Sequence, residues 1–325
     1  MMENVFITGA GGFIGRHLVE ALLDKGVKVT ALMVPHEPVP ESWGNLVHII
    51  RGDVRNLVEI SRHIEPIDTL FHLAAIVSDW GGRDEHVDIT VHGTEQAIKL
   101  ALKHQARFVV TTSIAAFGST LGHGEIDENS PRGSTLSNYE YVKQLQEDVT
   151  LSAVNEHGLD AVIIRPANVY GVGSVWVNRF VELLRNKEPA LMGSGDWDAG
   201  LVHVNHVVQA MILSAENQQL TSGEIFVIAD DPGVTWQQYL QALSDTLGLP
   251  QAKSIPNWLA KMLAPVLEFF GHLFKQKNAP VVTHLAYRLT GVESIFKNDK
   301  AKQLLGYRPM ITLEQAMTEI KNNQQ

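Results

Sequence analysis

Residues 3–18 read ENVFITGAGGFIGRHL: an apolar run of strand length, a glycine loop and the start of an amphipathic segment. The glycines at 9, 12 and 15 constrain the fold more than any other feature of the chain. Gly9 lets the backbone turn, Gly12 lets it approach a pyrophosphate, and Gly15 lets the next helix pack on the strand. A helix opening directly after such a loop aims free N–H groups and a partial positive charge at the same spot. Glycine also serves plain turns before structural helices, so the strand–loop–helix setting is what points to a dinucleotide.

The rest of the chain fits that beginning. Short apolar runs at 3–8, 27–33, 46–50, 68–73, 106–112, 160–165 and 224–228 predict strands. Helical patterns lie between most of them, at 13–25, 55–63, 84–103, 138–156 and 175–187. Alternating strands and helices imply βαβ units, hence an α/β fold with a doubly wound parallel sheet of the Rossmann type. From Pro232 onward strand signals fade, which predicts a smaller, mostly helical C-terminal substrate domain. We expect residues 1–170 and 201–231 to form the dinucleotide domain, and 171–200 with 232–325 to form the cap.

Composition excludes several functions. A formal charge of −10 with no basic run argues against nucleic acid. The absence of cysteine removes disulfides and thiolate chemistry, and fits a reducing cytoplasm. No signal peptide and no apolar run long enough to span a bilayer are read in the sequence. Pro256 to Phe274 is apolar and admits three readings: a pocket wall, an interfacial membrane-surface helix, or ordinary core packing. Asn322 to Gln325 is a polar tail. His92, His203 and His206 are too isolated in sequence to predict a metal site, so none is expected.

A second constellation stands in Tyr139-Glu-Tyr-Val-Lys143. On a helix Tyr139 and Lys143 lie about 400° apart and share a face, whereas Tyr141 lies about 200° from Tyr139. A free tyrosine titrates near pH ~10. A nearby ammonium and a positive nicotinamide would lower that value and make Tyr139 an acid–base group.

Taken together, Thr8-Gly-Ala-Gly-Gly-Phe-Ile-Gly15, Gly52-Asp-Val54, Phe71-His-Leu-Ala-Ala75, Thr111-Thr-Ser-Ile-Ala-Ala-Phe-Gly118, YEYVK and Arg165-Pro-Ala-Asn-Val-Tyr-Gly171 resemble the extended short-chain dehydrogenase/reductase family over about residues 3–230. The resemblance implies a catalytic set of Ser113, Tyr139 and Lys143: Ser113 holds the substrate oxygen, Tyr139 moves its proton, and Lys143 tunes Tyr139 and binds the nicotinamide ribose. It implies a cofactor site formed by Gly9, Gly12, Phe13, Ile14, Gly15, Asp53, Val54, Leu73, Ala74, Ala75, Thr111, Tyr139, Lys143, Pro166 and Asn168. The choice of nicotinamide stays open as NAD(P), because Glu37 lies past a proline and Arg16 competes with it. Thr90 stands where the family often has Asn, which puts a relay through that position in doubt. The resemblance also implies a homodimer.

Two departures narrow the reaction. Ile114-Ala-Ala116 replaces the acidic pair of sugar-nucleotide dehydratases, and Ala199 stands at the Arg expected of nucleotide-sugar members. Ala74-Ala-Ile-Val-Ser-Asp-Trp-Gly81 resembles the 3β-hydroxysteroid dehydrogenase-like branch. The expectation is an oxidoreductase acting on a secondary alcohol or ketone of a small apolar or amphipathic substrate, sterol-like or β-keto acyl-like. A nucleotide-sugar epimerase with tightly bound NAD is the alternative, and a non-catalytic redox sensor the third reading.

Overall fold

The computed structural model describes residues 2–274, 276 and 278–323; Gln324 and Gln325 of the polar tail lie outside them. Seven strands form one sheet: β1 Asn4–Thr8, β2 Lys28–Met33, β3 Val47–Arg51, β4 Thr69–His72, β5 Arg107–Thr111, β6 Ala161–Pro166 and β7 Glu224–Ile228. Their order is β7-β6-β5-β4-β1-β2-β3 and every pairing is parallel. This is the doubly wound architecture. Alternation along β1 shows why the central strands carry apolar residues on both faces. Val5 and Ile7 enter one core with the Phe13–Asp24 and Val204–Glu216 helices. Phe6 enters the other, with the Gly93–His104 and Asn138–His157 helices.

The chain turns away from the sheet in opposite directions after β1 and β4, which are neighbours. Ligands of open α/β sheets sit outside the strand ends at such a switch point. Thr8 with the glycine loop, and His72 with Leu73, border it.

Several elements differ from the sequence reading. The expected 84–103 helix is broken, with a π turn at Val87–His92 between Arg83–His86 and Gly93–His104. The expected 55–63 helix is only one short α turn, Leu57–Ile60, between two 3-10 turns. The helix predicted to reach 187 stops at Arg185, and Lys187 is left-handed at φ 56°. The Val204–Glu216 helix was not foreseen, because its near-continuous apolar composition hides a helical period. Three short parallel strand pairs were also missed: 124–126 with 294–296, 168–170 with 201–203, and 189–192 with 253–255.

The C-terminal part contributes helices at Trp236–Leu247, Asn257–Leu273, His284–Thr290, Asp299–Leu305 and Leu313–Asn323. No described helix is long and apolar enough to cross a membrane. Asn257–Leu273 is not a core helix, since Trp258, Phe269 and Leu273 are all exposed.

Candidate active site

The glycine loop is sterically committed to its shape. Gly9 has φ 70°, and a methyl group there would fall 2.8 Å from the Ala74 nitrogen. A methyl group on Gly15 would fall 2.2 Å from the Gly9 oxygen. Both positions therefore require glycine, one for conformation and one for close packing. Gly12 precedes the Phe13–Asp24 helix without a side-chain cap, which leaves the first-turn N–H groups of Phe13, Ile14 and Gly15 to face a ligand. The cradle fits a dinucleotide pyrophosphate. Leu73 and Ala74 line its far wall, tied to β1 by Leu73 N donating to the Thr8 oxygen (3.1 Å) and Ala74 N to Thr8 Oγ1 (3.3 Å). Ala75 follows them, half-buried.

Arg16 and Glu37 are now placed. Arg16 Nε donates to the Gly11 oxygen at 2.6 Å, which holds its guanidinium against the loop. The Glu37 carboxylate covers Gly11 so closely that a methyl group there would lie 2.1 Å from Glu37 Cδ.

The candidate catalytic pair is set by a helix start. Ser137 and Glu140 form a capping box on the Asn138–His157 helix, so Tyr139 and Lys143 occupy its first two turns. Ser113 follows β5 with extended backbone, accepts from Ala115 N at 3.1 Å, and has its side chain on the Tyr139 phenol side of the site. Tyr141 faces elsewhere, with the Arg83 guanidinium 4.7 Å from its ring. For Tyr139 the groups of the chain by themselves act against the lowered pKa expected beside a positive nicotinamide. Burial pushes the phenol up to about 12; the Ser113 side chain opposes this, and the Asp79 charge adds to it. Burial likewise pulls Lys143 down to about 7, with Glu147 drawing it partly back. The Lys143 ammonium lies 5.8 Å from the Tyr139 ring centre, and its hydrogen bonds go to Thr111 O (3.2 Å) and Gln146 Oε1 (2.8 Å).

A buried polar chain runs from there to the glycine loop. Gln146 Nε2 donates to Thr94 Oγ1 at 3.0 Å, and Thr94 Oγ1 donates to Thr90 O at 2.6 Å. With the Thr94 proton used, His72 Nε2 must be the donor across the 2.9 Å contact to Thr94 Oγ1. His72 Nδ1 then accepts from Thr8 Oγ1 at 2.8 Å, and Thr8 accepts from Ala74 N. Burial and the Lys143 charge push His72 down to about 3, consistent with the neutral ring this assignment needs. Thr90 holds a different part of the site, its Oγ1 accepting from Ile76 N at 3.2 Å. None of Gln146, Thr94 or His72 was singled out from the sequence. Gln146 stands three residues past Lys143, so helical spacing alone placed it within reach.

Other predicted residues have local partners. Both Asp53 oxygens are bound by Arg55, which also pairs with Asp88, and Val54 packs beneath Gly93. Pro166 ends β6 beside Ile228 of β7. Asn168 Nδ2 donates to the Ala199 oxygen at 2.8 Å. Ala199 is 1% exposed within an apolar cluster with Tyr170 and Trp236, so no arginine-sized group fits the position. Arg165, at the head of the same motif, pairs with buried Glu147 through two 2.7 Å bonds. The histidines serve elsewhere: His92 pairs with Asp88 at 3.3 Å, and His206 with Asp230 at 2.5 Å while accepting from Ile311 N. His203 Nδ1 accepts from Asn205 N at 3.3 Å. Among the described residues no three potential ligands gather into a metal site.

Comparison with known proteins agrees with this geometry. The model of the NAD dependent epimerase/dehydratase family matches residues 5–229. The chain is 27% identical to a 2-alkyl-3-oxoalkanoate reductase of Shewanella oneidensis, covering 98% of this chain and 86% of that protein. It is also 27% identical to a 3-beta-hydroxysteroid dehydrogenase of Mycolicibacterium neoaurum, covering 98% and 90%. A solved structure of UDP-glucuronic acid 4-epimerase from Bacillus cereus in complex with NAD shares the fold, with a TM-score of 0.76, 19% identity and coverage of 98% and 96%.

Proposed function

Because this chain belongs to the NAD dependent epimerase/dehydratase family, we propose that it moves hydride between NAD(P) and a secondary alcohol or ketone of a largely apolar substrate, sterol-like or β-keto acyl-like. The observation that carries the reading is the gathering of half-buried Ser113 and Tyr139 with buried Lys143, whose Nζ lies 5.8 Å from the Tyr139 ring centre. When bound, the nicotinamide supplies or takes the hydride. The residues of the chain do the rest. Ser113 donates a hydrogen bond to the substrate oxygen, which favours the negative charge that builds there during reduction. Tyr139, held in its protonated form by burial, is equipped to give that oxygen its proton. Lys143 stands behind Tyr139, close enough to return the charge balance, and Gln146 fixes where its ammonium points.

The substrate class is supported by what is missing. Buried Ala199 offers no guanidinium for a diphosphate. The named activities of the two relatives concern a 3-oxoalkanoate, an alkyl chain with a ketone beside its carboxylate, and a 3-beta-hydroxysteroid, both largely apolar bodies. The likeness to a nucleotide-sugar epimerase extends to the fold.

Turnover of 2-alkyl-3-oxoalkanoates, 3-ketosteroids and UDP-sugars with added NADH or NADPH tests the reading. Tyr139→Phe should lower ketone turnover by at least about 100-fold, the usual weight of a positioned acid, while binding NADH as the parent does. Full turnover by that variant would sink the assignment. Epimerised UDP-sugar, with no ketone reduced, would replace it.

A further inference from the structure

We propose that the outer face of the Asn257–Leu273 helix docks on the surface of an anionic lipid bilayer. The helix is inverted relative to a core helix. Its protein-facing side carries the small residues Ala260, Ala264 and Gly271, all buried. Trp258 (67% exposed), Met262, Val266, Phe269 (64%), Phe270 and Leu273 all project outward. At about 100° per residue these six fall in one arc of about 120°, a continuous stripe along the helix. Such a stripe is an interaction surface, because scattered exposed side chains do not line up in this way.

Charge selects the partner. The chain as a whole carries −10, yet residues 250–287 hold four lysines against a single glutamate. That glutamate, Glu268, is turned inward onto His284. Lys261 lies on the helix beside the apolar arc and is exposed, as is Lys253 at its approach. Tryptophan and phenylalanine flanked by lysine match the headgroup boundary of an anionic leaflet. The helix is too short to span it, so it lies flat.

The stripe is also mechanically joined to the active site. Trp80, on the loop after β4, stacks on His272 with ring centres 4.1 Å apart and donates to the Gln276 oxygen. Asp79 accepts from Thr283, and Arg288 pairs with Glu140, the residue after Tyr139. A bilayer beneath this helix would therefore lie next to the loop after β4 and the start of the helix that carries Tyr139. Delivery of substrate from the bilayer rests on the apolar-substrate reading; docking does not.

Cosedimentation of the full chain with vesicles of equal parts phosphatidylcholine and phosphatidylglycerol tests it. The parent should partition at least about tenfold more strongly than Trp258→Ser/Phe269→Ser, and more strongly than onto phosphatidylcholine alone. Lys261→Glu should weaken binding to the anionic vesicles selectively. All variants should bind NADH with the parent affinity, which shows that they are folded. Docking is overturned if the parent stays in the supernatant, or if the double variant sediments equally. It is also overturned if ultracentrifugation finds a parent dimer that the double variant dissociates, because a second copy would then cover the face. Vesicle binding without ketone turnover would support docking and count against the substrate reading alone.

Discussion

Lys143 should make the protein more stable as pH rises, and replacing it should abolish that rise. The residue is 2% exposed, and burial lowers its pKa from 10.5 to about 7. Between those values the unfolded chain holds a proton on Lys143 that the folded chain has released. Stability therefore grows with pH in this window, and below about pH 7 the penalty of burying the ammonium is fully present. A full gap of this size corresponds to about 5 kcal/mol, and two pH steps within it to about 2–3 kcal/mol. The window from pH 7.5 to 9.5 is clean. His72 and His203, lowered to about 3 and about 4, titrate below it. The buried tyrosines, with values raised above 10, begin to matter only at its upper end. Urea unfolding of the parent and of Lys143→Met, followed by tryptophan fluorescence at pH 7.5, 8.5 and 9.5, measures the effect. Methionine leaves Thr111 O and Gln146 Oε1 without their donor, at about 1–3 kcal/mol each. That cost does not change with pH, so the difference in slope isolates the charge. Parallel curves for parent and variant would refute the reasoning.

Two further substitutions test named contacts. Glu147→Gln should cost about 3–5 kcal/mol in the same urea assay, because it leaves the buried Arg165 guanidinium without its countercharge. It should also move the Lys143 titration to lower pH, by removing the charge that draws it upward; an unchanged unfolding midpoint would contradict the first claim. Glu37→Ser should lower the ratio of KM for NADPH to KM for NADH by at least about tenfold, since a carboxylate over Gly11 repels a 2′-phosphate. An unchanged ratio would mean that Glu37 does not choose the cofactor.

Much of this architecture was legible in sequence because the central strands are buried on both faces, as in Val5-Phe-Ile7, Phe108-Val-Val110 and Ala161-Val-Ile-Ile164, where no polar residue interrupts the run. The glycine loop was legible for a steric reason: positions 9 and 15 meet backbone atoms that no side chain could displace. The three short strand pairs were not, because three- and four-residue segments carry too little periodicity to be distinguished from loop. Helix 257–273 stayed ambiguous since composition fixes that it is apolar but not which side faces out. Tyr139 and Lys143 were placed by helical spacing, yet their ionisation was not. Spacing supplies the neighbours, whereas the depth of burial that raises one value and lowers the other depends on the whole fold.

The doubt over Thr90 resolves in the same terms. A threonine there lacks the reach of asparagine, and the structure does not ask it to reach. The π turn at Val87–His92 aims its hydroxyl at Ile76 N and its carbonyl at Thr94, so it ties down the loop after β4. Contact with the lysine passes instead to Gln146, on the same helix as Lys143. The amide then connects Lys143 through Thr94 and His72 to Thr8, one residue before the first loop glycine. The hydrogen bonds converge on Thr94 Oγ1 from Gln146 and from His72, and because the Thr94 proton goes to Thr90 O the tautomer of His72 is fixed. Lys143 and the glycine loop are thereby held in one frame. That coupling is what the proposed chemistry requires, since the group that tunes Tyr139 must also be positioned against the cofactor cradle.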